Sequence, residues 1–258
     1  MKVLVTFAVE PEFAPWRKLR KFVARTVNGI TVYSSEVGGT TVDVVLTGMG
    51  AANARRATEA VLSRSYAICI SAGFAGALKR EYRAGDLLAA TSVQHAGGRA
   101  VIESNPALVA NCLNVGGIRK VPAFLTSETV VDTAQDKAAL AEFGDAVEME
   151  SFTILSVAED SDVPAIAIRA ISDRFDQEIP MDFSDSVDQC GHILKRRIAE
   201  KIVRDPFKIP TLIRLGRQSK AAAEKLSQFL EIYMARLSAE EAPETASHSQ
   251  KHDPVGAQ

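Results

Sequence analysis

The sequence predicts an α/β protein with a largely parallel central sheet and helices on both sides of it. Short apolar segments, typical of buried strands, alternate with helix-like segments from residue 2 to about residue 204. Such alternation is characteristic of parallel sheets that are covered by helices. In addition, 47% of the 258 residues are hydrophobic, which is enough to fill the substantial core of a chain of this length.

Seven segments predict the strands. Each is a mostly apolar or β-branched run, and turn residues bound several of them. Gly38-Gly39 separates the second run from the third and predicts a hairpin. The predicted strands cover residues 2–8, 31–36, 41–47, 66–71, 86–93, 121–125 and 164–168.

Helices are predicted between these strands. Pro11 suits a first helical turn, and Glu10 and Glu12 favour the positive end of the helix dipole. Gly116-Gly117 ends the helix that begins at Asn105. The first predicted helix begins at residue 10, and the last one ends near residue 204. The predicted helices between them cover residues 51–63, 105–114, 134–142 and 150–159.

The remainder of the chain predicts two smaller segments after an α/β domain over residues 1–206. Apolar residues recur at helical spacing from Ile209 to Leu237, which predicts a helical extension over 207–238 that packs on the domain. Residues 239–258 are rich in Glu, Ser, His, Pro and Gly and have no apolar face. That composition predicts a disordered tail.

Charge and composition exclude several function classes. A net charge of −2 gives no basic excess for a nucleic-acid partner. The three cysteines and four histidines show no metal-ligand spacing or cluster, so we expect neither a zinc site nor a Ser-His-Asp triad, and we interpret Cys69, Cys112 and Cys190 as buried free thiols in a reducing cytoplasm. No run approaches the roughly 20 apolar residues of a membrane helix, and the opening apolar run is too short for a signal peptide. We therefore expect a cytoplasmic protein.

Two glycine-containing turns follow predicted strands. Gly48-Met49-Gly50 precedes a helix, where backbone N–H groups can face an anion, but Asn53 stands in place of the third glycine of the dinucleotide-binding pattern. The turn is therefore either an anion cradle or a turn that needs small residues. Gly73-Phe74-Ala75-Gly76 either lets a ligand approach the backbone over an apolar floor made by Phe74, or is a tight turn with Phe74 in the core.

Three acidic residues are candidates for chemistry. Glu150 begins a helix, Asp173 follows the uncharged strand 164–168, and Glu12 lies at the start of the first helix. Ligands of open α/β sheets bind beyond the carboxyl ends of the strands, so Glu150 and Asp173 predict a reaction centre there, with Asp173 suited to donate a proton. The structural alternatives are a dipole partner for Glu150, a helix cap for Asp173 and a surface acid for Glu12. Glu148 is a candidate partner of Arg169.

Together these segments resemble the nucleosidase and phosphorylase superfamily that cleaves purine nucleosides, in particular the bacterial methylthioadenosine/S-adenosylhomocysteine nucleosidases. The resemblance extends from residue 1 to about residue 201, and its last two blocks are the most specific. The matching blocks are Ala8-Val9-Glu10-Pro11-Glu12, Thr47-Gly48-Met49-Gly50 with Ala54, Gly73-Phe74-Ala75-Gly76, Gly85-Asp86, Val147-Glu148-Met149-Glu150 and Arg169-Ala170-Ile171-Ser172-Asp173.

The resemblance implies a three-layer α/β/α fold with a twisted central sheet, a catalytic domain over residues 1–206 and a homodimer or larger assembly. It also implies roles: Asp173 protonates the purine N7 and Glu12 activates the attacking water. The resemblance implies that no metal or organic cofactor is needed. It also implies which residues contact the substrate. The implied substrate-binding residues are Glu150 and Met149 at the ribose hydroxyls, Gly73 and Phe74 near the sugar, and Ser172 and the backbone near Val131 at the base.

Departures from the family pattern leave alternatives open. Phe74 stands where the nucleosidases usually carry serine, and Val130 replaces an aromatic residue that stacks on adenine, so the base site is less aromatic or is rebuilt with Phe152 or Phe175. Ser71 replaces an arginine that binds phosphate in many phosphorylases, which favours water as the nucleophile unless other arginines supply phosphate contacts. Those arginines would be Arg55, Arg56 or Arg99.

We therefore predict hydrolysis of the N-glycosidic bond of an adenosine-like nucleoside. The alternatives are phosphorolysis with phosphate as the second substrate, action on a bulky 5′-substituted biosynthetic nucleoside, and a non-catalytic nucleoside-binding module.

Overall fold

The computed structural model describes residues 1–180, 186–192 and 194–241. Ten strands form a single sheet within this part of the chain, in the order β10-β6-β8-β9-β5-β1-β4-β3-β2, with β7 beside β6 and an additional pairing between β10 and β5. The strands are β1 Lys2–Phe7, β2 Val23–Val27, β3 Ile30–Val37, β4 Thr40–Leu46, β5 Ile68–Ala77, β6 Leu87–His95, β7 Val101–Glu103, β8 Ile118–Thr126, β9 Ala146–Glu148 and β10 Ala165–Asp173.

Helices cover both faces of this sheet. The helices are α1 Glu10–Leu19, α2 Ala51–Val61, α3 Pro106–Val115, α4 Ala134–Leu140, α5 Ser151–Asp160, α6 Lys195–Arg204 and α7 Ile209–Glu241, with a short 3₁₀ turn over Pro206–Lys208. Side chains of α1, α3 and α7 share one buried apolar cluster, and those of α2 and α5 share another. Alternate residues of β1 divide between the clusters, with Val3 and Val5 in the first and Leu4 in the second, because successive strand side chains point to opposite faces.

The sheet is mixed, so the prediction of a largely parallel sheet is wrong. Five strand pairings are parallel and five are antiparallel. The predicted hairpin of β3 and β4 is confirmed, and β2 extends it through a second tight turn at Asn28-Gly29. Tight turns allow only antiparallel neighbours, whereas the alternation of strands and helices in the sequence does not distinguish the two directions. The strand β2 was missed because it is an exposed edge strand without an apolar run.

The C-terminal segment is one continuous helix, α7. Its second part is buried against the sheet through apolar residues from Ala222 to Leu237. Glu231 accepts hydrogen bonds from the indole N–H of Trp16 at 2.8 Å and from the guanidinium of Arg20, which ties α7 to α1. The helix continues to Glu241, and residues 242–258 of the predicted tail lie outside the described residues.

Two further predictions concern the burial of the three cysteines and the lack of membrane-spanning helices. Cys69 and Cys112 are buried, but Cys190 is exposed, so the expectation of a buried thiol is wrong there because residues 188–192 form a surface turn. Within the described residues, no helix has both the length and the apolar character to cross a membrane.

Candidate active site

A cavity of about 630 Å³ lies where several strands end at the carboxyl edge of the sheet. Its wall includes the ends of β5 and β10, the residues after β1, and the connection from β9 to α5. Glu12, Glu150 and Asp173 all line it, although they come from distant parts of the chain. All three are buried, with relative exposures of 4%, 7% and 2%. The structure therefore brings the three candidate acids into one site.

Glu12 is held by the backbone of two neighbouring segments. One carboxyl oxygen, Oε2, accepts hydrogen bonds from the N–H groups of Ala8 at 2.8 Å and Val9 at 2.9 Å, as an acid in the first helical turn often does. The other, Oε1, accepts from the N–H of Phe74 at 2.7 Å. Burial raises the pKa of Glu12, although these hydrogen bonds and the charge of Arg169 oppose the rise. A carboxylate with raised proton affinity is suited to take a proton from water.

Gly73-Phe74-Ala75-Gly76 lies within the strand β5, so the prediction of a turn is wrong, and its glycines make room for the acids. A β-carbon at position 73 would stand 2.6 Å from Glu12 Oε1, and one at position 76 would stand 3.0 Å from Asp173 Oδ2. The groups that approach this backbone closely therefore include the protein's own carboxylates. Phe74 lines the cavity and also packs against the core cluster, so it combines both of its expected roles.

A buried ion pair lies beside Glu150, whose backbone N–H donates a hydrogen bond to Glu148 Oε2 at 3.0 Å. Arg169 donates to Glu148 Oε2 at 2.5 Å, which confirms the expected pairing, and Arg169 also donates to Ser71 and Ser151. Burial alone would raise the pKa of Glu148, but the guanidinium and several hydrogen bonds lower it. Glu148 therefore carries the negative charge beside Arg169.

Glu150 differs from Glu148 because it has no such cation in contact. Burial, followed by the charge of Glu148, raises the pKa of Glu150 to about 8. Its Oε1 accepts a hydrogen bond from the N–H of Gly50 at 2.7 Å. The Gly48-Met49-Gly50 turn thus faces a carboxyl group of the protein, and burial favours the protonated form of that group.

Asp173 ends β10 beside a local irregularity in the pairing with β5. Its Oδ1 accepts a hydrogen bond from the Ser172 hydroxyl at 2.6 Å. Its Oδ2 accepts one from Lys137, a residue of α4 that sequence reasoning did not single out. No sequence signal marks Lys137, because it lies in an ordinary helical segment and its partner is 36 residues away.

Of the other residues expected to contact the substrate, some line the cavity and others lie outside it. Met149, Val130 and Val131 line the cavity with Ser172. Phe152 instead packs against His95, with ring centroids 5.9 Å apart, and Phe175 packs under Arg80. Neither aromatic ring is among the described residues that line the cavity, so the base site is not rebuilt with them in this structure.

Comparison with known proteins identifies the family. A family model of the phosphorylase superfamily matches residues 2–204. The chain belongs to the phosphorylase superfamily. This confirms the resemblance seen in the sequence, which rested on the blocks that surround the cavity.

Relatives of this superfamily member include bacterial proteins named as nucleosidases. The 5′-methylthioadenosine/S-adenosylhomocysteine nucleosidase of Shewanella pealeana is 26% identical over 218 residues, covering 74% of this chain and 94% of the relative. The enzyme of the same name from Bacillus cereus AH187 is 27% identical over 219 residues with the same coverage.

Solved structures share the fold of this superfamily member. The futalosine hydrolase of Helicobacter pylori superposes with a TM-score of 0.69 at 18% identity, covering 90% of this chain and 97% of that one. The Neisseria meningitidis nucleosidase in complex with methylthio-immucillin-A gives a TM-score of 0.69 at 21% identity with the same coverage.

One wall of the cavity is formed by the helices α6 and α7. Leu212 and Leu215 of α7 face the cavity together with Ile198 and Ile202 of α6, and all four are only half-buried. The matched region ends at residue 204, so α7 lies beyond it. The cavity therefore has acids at the sheet edge and an apolar wall built largely from the C-terminal helices.

Within the described residues, no group of three or more His, Cys, Asp or Glu side chains is arranged to hold a metal ion.

Proposed function

We propose that this protein hydrolyses the N-glycosidic bond of an adenosine-like purine nucleoside. One observation carries the proposal: Glu12, Glu150 and Asp173 are buried together in one cavity. Burying three carboxyl groups is costly unless each has a partner, and the raised pKa values of Glu12 and Glu150 favour a functional site. The named relatives are nucleosidases, which supports the same reaction class here.

The acids suit the charges that develop during bond cleavage. Breaking the bond between C1′ and N9 leaves positive charge on the sugar and negative charge on the base. In the proposed reaction Asp173 protonates N7, so the base leaves as a neutral molecule, and Glu12 takes a proton from the water that attacks C1′. General acid–base help of this kind contributes roughly 10²–10⁴-fold per group.

Substrate contacts follow from the same cavity wall. Glu150 and Met149 are proposed to hold the ribose hydroxyls, with Gly73 and Phe74 beside the sugar. Ser172 and the backbone near Val131 are proposed to line the base. All of these except Gly73 are cavity-lining residues, and Gly73 acts by leaving space for Glu12.

Water is favoured over phosphate as the nucleophile. Arg55 pairs with Glu59 on the surface, Arg56 donates to the carbonyl of Gln189, and Arg99 is exposed. None of these arginines is among the described residues that line the cavity, whose lysines are Lys18 and Lys220. Phosphorolysis remains the alternative reaction.

The apolar wall of α6 and α7 favours a second, narrower assignment. Half-buried leucine and isoleucine side chains that face an open cavity are stabilised when an apolar group covers them. A nucleoside with a bulky apolar 5′-substituent supplies such a group, and plain adenosine does not. We therefore propose a 5′-substituted nucleoside as the substrate class.

A nucleoside panel tests both assignments. Purified protein is incubated with adenosine, inosine and adenosines that carry 5′-alkylthio groups of increasing length, with and without phosphate, and free base is measured. We expect base release without phosphate and a kcat/KM that rises with the length of the 5′-group. Release only with phosphate would make the protein a phosphorylase, and binding by calorimetry without any release would make it a non-catalytic nucleoside-binding module.

The family also supports proposals on organisation. We propose that residues 1–206 form the catalytic domain, that the extension 207–238 packs on it, and that the protein works in the cytoplasm as a homodimer or larger assembly. Light scattering after size-exclusion chromatography tests the assembly, since a monomeric mass at micromolar concentration would contradict it.

A further inference from the structure

Lys137 is a buried lysine whose ammonium group ends beside the proposed proton donor. Its side chain is 0% exposed. Nζ donates to Asp173 Oδ2, to the carbonyl of Arg174 at 3.0 Å and to the carbonyl of Gln177 at 2.7 Å. A lysine ammonium has three N–H donors and no acceptor. Every donor therefore has a partner, and the group is held in one place.

Such burial is unusual for lysine and needs a compensating partner. Lysine usually keeps its ammonium group in water while its methylene stem packs against the protein, and an unpaired buried charge is strongly destabilising. The helix that carries Lys137 is fixed at its start, because the hydroxyl of Thr133 accepts a hydrogen bond from the N–H of Asp136 at 3.0 Å. The local structure thus delivers one cation to one carboxylate.

We propose that Lys137 is a positioning residue for the acid step, acting through Asp173; this rests on the proposed function. Asp173 gives its proton to N7, the C1′–N9 bond breaks with its electron pair going to the base, and Asp173 becomes a carboxylate. The ammonium of Lys137 stabilises that carboxylate at Oδ2, while Ser172 holds Oδ1. Asp173 regains its proton from solvent after the base leaves.

The cation acts on the step in which negative charge develops on Asp173. Without it, the carboxylate that proton transfer leaves has no charged partner at Oδ2. The acid step should therefore slow, while binding of the nucleoside is unchanged.

The test compares K137M, K137R and the matched control K79M. Lys79 is a second lysine that contacts this part of the chain, where its Nζ donates to the carbonyl of Ala141, but it does not touch Asp173. Each variant is assayed for kcat and KM with the best nucleoside of the panel. We expect K137M to lose at least about tenfold in kcat with little change in KM. K137R keeps the positive charge and should keep most of kcat, as should K79M.

The outcomes separate this inference from the proposed function. A K137M variant with unchanged kcat, or a K137R variant that loses as much kcat as K137M, would leave Lys137 only a structural part and overturn the inference. No base release by the unsubstituted protein would overturn the proposed function and this inference together. If K137M does not fold, K137Q replaces it, because the glutamine amide can still donate to the carbonyls of Arg174 and Gln177, and the same loss of kcat at unchanged KM is expected.

Discussion

The carboxyl group of Glu12 occupies the space where residue 73 would carry a side chain. A β-carbon at Gly73 would lie 2.6 Å from Glu12 Oε1, which is closer than carbon and oxygen atoms approach without displacement. The N–H of the next residue, Phe74, donates to that same oxygen at 2.7 Å. The glycine and the acid are therefore one structural unit, although 61 positions of sequence separate them.

Replacing Gly73 by alanine should displace Glu12. We expect G73A to lose about 1–3 kcal/mol of stability through overpacking and roughly a hundredfold or more in base release, because the proposed base is moved from its position. Differential scanning fluorimetry and the base-release assay measure the two effects. In G73A/E12A the clash is absent, so part of the lost Tm should return; a double variant no more stable than G73A would contradict the steric explanation.

Asp173 is expected to contribute through its proton. D173N keeps the shape of the side chain but cannot protonate the base, so kcat should fall by at least roughly a hundredfold. The matched control is D176N, since Asp176 lies on the surface after the same strand and pairs with Arg174. Unchanged turnover in D173N would remove Asp173 from the acid role.

Glu12 should limit activity on the acid side of the pH profile. Burial raises its pKa above the ordinary value of 4.5, and only the ionised form can take a proton from water. Base release should therefore fall as the pH decreases through a value above 4.5, and E12Q should lose roughly 10²–10⁴-fold. E10Q alters an acid of the same helical turn that pairs with Arg17, and its profile should match that of the unsubstituted protein.

The class of fold and the meeting of the three candidate acids in one cavity could be predicted from the sequence because the signals were local. Apolar runs marked the strands, and the blocks around Glu12, Glu150 and Asp173 marked the family. The direction of β6 against β10 and the partner of Asp173 depend on contacts between distant segments, which leave no periodic pattern in the sequence. Lys137 was missed for this reason, and so was the role of Gly73 and Gly76 in accommodating carboxylates rather than only a ligand.

Glu150 should make stability depend on pH. Its folded-state pKa of about 8 lies above the unfolded value of 4.5, so the folded state holds a proton that the unfolded state has already lost. Stability from this group is therefore highest at low pH and decreases as the pH rises from 4.5 to about 8. E150Q has no proton to lose, so its Tm relative to the unsubstituted protein should increase by several degrees between pH 5 and pH 9. A constant difference in Tm across that range would contradict the assignment.

The ion pair of Glu148 and Arg169 should contribute strongly to stability, unlike the ion pairs on the surface. Both side chains are at most 2% exposed, so R169M leaves an uncompensated buried carboxylate and should cost about 3–5 kcal/mol. For a chain of this size that corresponds to a fall in Tm of about 2–4 °C per kcal/mol. The control is R64M, because Arg64 and Asp162 form a pair that is 81% and 73% exposed, and such pairs contribute about 0–1 kcal/mol. In R169M the lost Tm should partly return at low pH, where Glu148 becomes protonated; a deficit independent of pH would show that packing of the arginine, and not its charge, stabilises this part of the core.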